Sequence, residues 1–449
     1  MIRHVAIVGA GFSGTLQAIN LLRHEGPRAT LIERAPVAGE GLAYGAAHPS
    51  HVLNVRAANM SAFPDDPGHF QRWLAAQGVA DPASQFIARR RYGDYLRELL
   101  QAALASAGDR LTLVHAGVTD IREEDGATLS LDDGRTIHAD AAVLAAGNLP
   151  PHDPPGLDAA TLSDECYKGD PWDPSVQQGL GPDDTVLVIG TGLTMVDVAL
   201  MLDAHGFEGR IVALSRRGLL PRAHAPGGEW RRIDERPRAG ASQLLRNVRA
   251  RAEAIGWRNA VDELRPFTQA MWANATEEER KRFLNHLRPW WDVHRHRLAP
   301  PVAERLQRMI DRGRLSVVAG KTISFVAVEG GVEVTWRARG DDVPQLLRVQ
   351  RVVNCTGPQG DLARTTEPLL AQLRDRGVIR PDAAHLGIDV DASAQTIAAD
   401  GTSNAWLYAL GPMTRGAFWE IVAVPDIRAQ TWNVARRLSN AHWVGGEGL

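Results

Sequence analysis

Two stretches of this chain, VAIVGAGFSG at 5–14 and VIGTGLTMVD at 188–197, have the same design: a short apolar strand, a glycine-rich turn and the start of a helix. A turn of this kind gathers free backbone N–H groups and the positive end of a helix around an anion, usually the pyrophosphate of a dinucleotide. Each copy demands its own strand–helix–strand unit and parallel sheet. The duplication therefore restricts the chain to α/β architectures with two nucleotide-binding units and asks why one polypeptide needs both.

In the first turn, Gly9, Gly11 and Gly14 form G-x-G-x-x-G. The first glycine permits the tight turn, the second lets pyrophosphate approach the backbone, and the third lets the helix lie close to the strand. The next strand, RATLIE at 28–33, ends in Glu33, about 20 residues on, where a carboxylate receives ribose hydroxyls. The second turn keeps Gly190, Thr191 and Gly192 but has Met195 at the third position, so its helix stands further from its strand. Its following strand ends in Ser215-Arg216-Arg217 with no acid. An acid there repels a 2′-phosphate and arginine attracts it, so the second unit favours NADPH, with NADH possible. Two such sites make chemical sense as a relay in which a nicotinamide passes hydride to a second, tightly held dinucleotide, for which FAD is the obvious candidate.

The plan repeats along the 449 residues. Both halves end in an apolar strand running into a small-residue turn, Ala145-Ala146-Gly147 and Cys355-Thr356-Gly357. Alternating segments at 111–138 and 316–336 read as β-meanders. Pro/Gly-rich stretches at 147–158 and 218–230 mark crossings. Between about 230 and 312 the pattern becomes helical, with a capping box at Thr276 and Glu279. Proline opens and glycine closes the stretch 300–313, as they do in helices. Five of the twelve tryptophans fall within 230–291. The expected fold class is α/β, two Rossmann-like dinucleotide-binding domains for FAD and NADP with a helical insertion at about 230–312. The expected domains are 1–160 (FAD, first part), 161–341 (NAD(P)H) and 342–449 (FAD, completing part).

A net charge of −3 gives no electrostatic case for nucleic acid or an acidic membrane. Two isolated cysteines, Cys166 and Cys355, exclude a disulfide framework and any redox-active cysteine pair. The basic-then-apolar N-terminus imitates a leader, but its glycines fall at nucleotide-loop spacing. With no apolar run long enough to span a bilayer, the expected location is cytoplasmic.

Beyond the turns, GEGLAYGAAHPSHVLNVRAANMSAFPDD at 39–66, DPWD at 170–173, RPWWDVHRHRLAP at 288–300 and GPMTRGAFWEIVAVPDIRAQ at 411–430 carry a resemblance. With them the chain resembles the two-dinucleotide-binding flavoproteins, and among these a bacterial FAD-NAD(P)-binding family that includes amino-acid N-hydroxylases. The resemblance spans nearly the whole chain. It implies FAD on the first turn and NAD(P)H on the second, with a C-terminal segment that completes the FAD unit. Gly147, Gly357, Gly411, Trp419 and Glu420 then join the cofactor-binding residues. The strand at 406–412 leads to Gly411, and Pro425 opens a helix aimed at the flavin pyrimidine. Many flavoproteins place an aspartate after that glycine; this chain has Pro412. Asn54 and Ser61 are the candidates for the flavin and nicotinamide vicinity, and Asn54 equally suits a turn cap. The monooxygenase fingerprint F-x-G-x-x-x-H is absent. In HLRPWWDVHRHR, 286–297, no third ligand joins His294 and His296 at metal spacing, so no metal is expected. Arg288, Arg295 and Arg297 are candidate clamps for a substrate carboxylate or the NADPH phosphates, with arginine–tryptophan packing against the FAD unit as the equal alternative.

The function expected is an FAD-dependent, NADPH-reduced monooxygenase that N-hydroxylates a small-molecule amine with molecular oxygen. Two alternatives stay open: an NAD(P)H:acceptor oxidoreductase without oxygenation, and an FAD/NADP-binding redox sensor.

Overall fold

Two sheets with parallel cores form the frame of the computed structural model, which describes residues 2–225, 233, 235–238 and 240–439. Part of the Pro/Gly-rich stretch at 218–230 and Trp230 lie outside the described residues. The first sheet runs Gln395–Ile397, Ser403–Ala409, Ala141–Leu144, His4–Val8, Arg28–Glu33, Leu111–His115. All of its ladders are parallel except the one at the Gln395–Ile397 edge. Its central strands are short apolar runs because helices cover both faces. The helices Phe12–Arg23 and Val424–Leu438 pack on one another against the sheet, burying Leu21, Val434 and Leu438 with Ile7 and Val143.

The second sheet runs Pro344–Val349, Gly331–Ala338, Leu315–Val328, Arg210–Ser215, Thr185–Ile189, Arg351–Asn354, Tyr167–Lys168. Its helix Leu193–Ala204 is apolar on most sides and buries Met195, Val196 and Leu202. Strand Leu315–Val328 is shared: residues 315–319 pair parallel with Arg210–Ser215, and from Gly320 onward it pairs antiparallel in the meander.

Three sequence expectations change. Strands Pro344–Val349 and Arg351–Asn354 belong to the second sheet, so the chain returns to the first sheet after Asn354, not at residue 342. A three-stranded meander spans Val118–Ala139, but Leu111–His115 joins the first sheet in parallel. Helix Pro300–Asp311 is the crossover between two parallel strands, with Leu306 and Met309 in the core of the second unit. The insertion proper therefore ends before it. Within the insertion, Thr276 and Glu279 make both capping-box hydrogen bonds.

Two segments join the units, and an isolated antiparallel bridge between Leu149 and Gln359 pairs them side by side.

Candidate functional site

Each glycine turn sits where its sheet's closing strand ends. Gly9 has φ +99° and Gly190 φ +117°, values that disfavour a side chain. A Cβ on Gly9 would lie 2.6 Å from the Ala145 carbonyl oxygen, and one on Gly190 would overlap that of Cys355. Two residues beyond each of those carbonyls stand Gly147 (φ +70°) and Gly357 (φ +95°). The repeated strand-to-turn endings thus meet the two phosphate loops in space. A Cβ on Gly14 would overlap the Gly9 carbonyl, so this glycine serves close packing. Buried Met195 occupies the matching place in the second unit.

Gly11 and Gly192 are different. A Cβ on Gly11 would make only an ordinary 3.5 Å contact with Gly41, and one on Gly192 would meet nothing within 4 Å. Both have negative φ, and both stand at helix N-caps without a side-chain capping bond. Nothing within the protein requires glycine there, while the first-turn N–H groups lack a capping side chain. That is the condition a pyrophosphate needs, and the residues fit a dinucleotide at each loop.

The surrounding groups differ between the loops. Glu33 accepts from the Ala10 N–H (2.6 Å) and the Ala35 N–H (2.8 Å), bracing the first loop from the end of the adjacent strand. The Thr191 hydroxyl donates to the Leu219 carbonyl (2.7 Å) and lies 2.9 Å from the Ser215 hydroxyl, which accepts from the Gly218 N–H. The turn after Ser215 is thereby held against the second loop. Arg217 donates to the carbonyls of Asn285 and His286, both at 3.3 Å. Arg216 is exposed and makes no side-chain bond among the described residues.

Gly411 (φ +75°) lies against Ser13 of the first loop helix, and its N–H donates to Gln430 Oε1 (2.8 Å). The terminal helix begins at Val424, with Pro425 in its first turn and Asp426 beside it. An acid there normally ionises more easily. Burial dominates here, reinforced by Glu420, and pushes the Asp426 carboxyl up to about 6 from 3.8, despite Arg265 at 3.2 Å. Since the folded-state value lies above the unfolded one, the stability this group contributes is full below about pH 4 and lost as pH rises through about 6. Asp426→Asn is expected to flatten that fall. Urea midpoints of both proteins at pH 4, 5.5 and 7 check it, and parallel curves would contradict it.

Several candidate residues have structural duties instead. The Ser61 hydroxyl is buried and spent locally, donating to the Asp66 carbonyl (2.6 Å) and accepting from the Phe63 N–H. Trp419 is buried against Trp272, ring centroids 4.7 Å apart, and Trp272 Nε1 donates to the Gly416 carbonyl (2.8 Å). Glu420 accepts from Trp291 Nε1 (2.7 Å) and Arg295 Nε (3.1 Å). Trp419 and Glu420, expected at the cofactor, latch the insertion onto the C-terminal segment. The three arginine clamps are also engaged: Arg297 makes a bidentate pair with Asp262 (both 2.9 Å), Arg295 pairs with Glu420, and Arg288 stands 3.5 Å from Asp292.

Asn54 falls at the junction of the two units. It lines a narrow cavity with Arg89, Leu193 and Asp197, and its carbonyl accepts from His224 Nε2 (2.9 Å). Beside it lies a contact the sequence did not disclose. Arg89 of the first unit makes a buried two-point ion pair with Asp197 on the second loop helix, at 2.7 and 3.1 Å. His51 Nε2 donates to the Asp197 carbonyl (3.0 Å), and its Nδ1 accepts from the His48 N–H. Burial holds the His51 imidazole below its ordinary value, in keeping with this neutral arrangement. The available signal was an acid in an otherwise apolar helix, TMVDVALML, but spacing does not name its partner.

Comparison with known proteins agrees with this geometry. Residues 6–149 match a family model described as FAD-NAD(P)-binding. Among solved structures, the ornithine N-hydroxylase of Kutzneria sp. 744, in complex with reduced FAD, NADP+ and L-ornithine, matches at TM-score 0.66 and 16% identity, over 98% of this chain and 99% of that one. The FAD-bound cadaverine monooxygenase of Erwinia amylovora matches at TM-score 0.69 and 12% identity, over 98% and 95%. The L-lysine 6-monooxygenase of Pseudomonas syringae matches at TM-score 0.68 and 16% identity, over 99% and 100%. The fold is that of the two-dinucleotide-binding flavoproteins. A search of curated proteins finds no match. Among the described residues, no helix is long and apolar enough to cross a membrane.

Proposed function

We propose that the protein is an NADPH-dependent flavin monooxygenase that N-hydroxylates the amine of a small molecule. The observation that carries this reading is the pair of uncapped loop helices beginning at Gly11 and Gly192, one on each sheet, within a fold shared end to end with the amine hydroxylases. FAD held at the first loop supplies two-electron transfer from NADPH and the activation of oxygen.

The chain's own residues do the positioning. Gly11 would admit the FAD pyrophosphate, Gly9 and Gly14 permit the tight turn and the close helix, and Glu33, which braces the loop, would receive the ribose hydroxyls. Gly190, Thr191 and Gly192 do the same for NADPH, and unpaired Arg216 is the side chain free to meet its 2′-phosphate. Gly147 and Gly357 would leave the strand ends bare for the cofactors, while Gly411 packs against Ser13. The ion pair of Arg89 with Asp197 fixes one unit against the other, with Asn54 between them. The latch of Trp272 on Trp419 holds the insertion against the C-terminal segment. Isolated Cys166 and buried Cys355 give no support to disulfide chemistry.

The test is rapid mixing of the FAD-loaded protein with NADPH without oxygen, followed by aerated buffer containing L-ornithine, L-lysine or cadaverine. The proposal expects fast flavin bleaching and an amine-dependent hydroxylamine product. Bleaching with oxygen consumed and no amine oxygenated would favour the acceptor reductase. Failure of NADPH to bleach the flavin, with or without amine, would remove the relay altogether.

A further inference from the structure

One face of the junction between the units carries histidines from both sides. His51 is buried, 2% exposed, and both of its ring nitrogens are used. Nε2 faces the Asp197 carbonyl at 3.0 Å, and Nδ1 faces the His48 N–H at 3.1 Å. A carbonyl only accepts and a backbone N–H only donates. The two contacts therefore fix one species, the neutral ring with its proton on Nε2 and a lone pair on Nδ1. An imidazolium would set a second N–H against that of His48. The ring also meets Trp172 of the second unit edge to face, centroids 5.7 Å apart.

The charged groups around this contact come from both units. On the first, Arg89 opens the helix Arg89–Ala107. Its N–H donates to the His51 carbonyl at 2.9 Å while its guanidinium takes both oxygens of Asp197. Arg90 follows it, and the His48 ring lies 5.7 Å from that of His51. On the second, Asp197 stands on the helix Leu193–Ala204, whose C-cap His205 places its ring 4.9 Å from that of His48. Arg305, on the helix Pro300–Asp311, is paired with Asp203 and faces His48. The Asp197 carboxylate would favour an imidazolium, but Arg89 already holds both of its oxygens.

A proton from solvent landing on Nδ1 thus meets a donor, a dry surrounding and no free acid. Burial lowers the imidazole from its ordinary 6.5, Asp197 opposes that, and Arg89 adds to it. With the folded value depressed, the support this group gives to the closed junction is full above 6.5 and is lost as the pH falls below it. Asp197 lies on the second turn of the helix that Gly192 caps, so a shift at this contact moves the second nucleotide loop relative to the first. We propose that His51 is a positioning residue for hydride transfer between the two nucleotide sites: as the neutral imidazole it holds the second loop helix, through the Asp197 carbonyl, against the first unit, and on taking up a proton it lets that helix go. The assignment rests on the reading in which NADPH on the second loop reduces FAD on the first.

The test follows flavin bleaching by saturating NADPH without oxygen, and separately the thermal midpoint, from pH 8 to pH 5.5. The proteins are the FAD-loaded parent, His51→Gln, His51→Ala and His205→Gln. Glutamine keeps an N–H donor for the Asp197 carbonyl and gains no proton. The parent is expected to lose bleaching rate by about tenfold across this range, and its midpoint should fall with it. His51→Gln should bleach faster than His51→Ala at pH 8, slow by less than about twofold toward pH 5.5, and show a shallower fall in midpoint. His51→Ala should be slow at both ends; if it does not fold, His51→Gln carries the test. An acid fall equally deep in the parent and in His51→Gln would overturn the assignment. So would a fall removed by His205→Gln and not by His51→Gln, which would move the effect to the contact of His48 with His205. If NADPH bleaches none of the proteins at any pH, the NADPH reading fails and the midpoints decide alone. A shallower fall in His51→Gln then keeps His51 as the pH-dependent tie between the units, and parallel curves remove it.

Discussion

Gly192→Ala is expected to fold as the parent does, keep its FAD, and lose NADPH affinity by about tenfold or more, roughly 1.4 kcal/mol. The substitution adds one methyl group where, chain neighbours aside, no atom of the described residues lies within 4 Å, at an N-cap with φ −84°, which alanine adopts freely. Any cost must therefore fall on what occupies that space. Gly190→Ala is the contrasting control. Its Cβ would overlap the Cys355 carbonyl at φ +117°, so it should also lower the thermal midpoint. NADP+ titration and flavin content of both variants read the difference. Unchanged NADPH binding by folded Gly192→Ala would remove the second dinucleotide from this loop.

Breaking the pair between Arg89 and Asp197 is expected to have the second large effect. Arg89→Ala leaves a buried carboxylate beside His51, and loss of one partner from such a pair costs about 3–5 kcal/mol. Because the pair joins the two units, part of that cost should appear as misorientation. A displacement of about 1 Å can slow a transfer on the order of 100-fold. The expectation is a normal flavin spectrum, near-normal NADP+ affinity and much slower bleaching by NADPH. Asp197→Asn, which keeps the shape and removes the charge, should slow bleaching less. An unchanged bleaching rate in folded Arg89→Ala would confine the pair to stability.

The two glycine turns were legible because their glycines obey local rules. Steric demands at Gly9, Gly14 and Gly190 are set by a neighbouring strand end, and the sequence announces both strand and turn. The small-residue endings at Gly147 and Gly357 were legible for the same reason. The arginine-rich stretch was not. Whether Arg288, Arg295 or Arg297 can hold a ligand depends on which acids meet them, and Glu420 and Asp262 lie 125 and 35 residues away from their partners. The boundary at residue 342 failed differently: strand Arg351–Asn354 reads as a closing strand, but sequence alone does not say which sheet it closes.

The first sheet also has a consequence for the order in which the protein matures. Strand Ser403–Ala409 lies beside Ala141–Leu144, and the whole second sheet is encoded between them. On the ribosome, the second unit has all of its strands once Asn354 has emerged, while the earlier-made first unit still lacks one neighbour of Ala141–Leu144 and the terminal helix Val424–Leu438. The later-coded unit is thus able to fold first, and the nascent chain must keep an unfinished parallel sheet from straying until its last strand arrives.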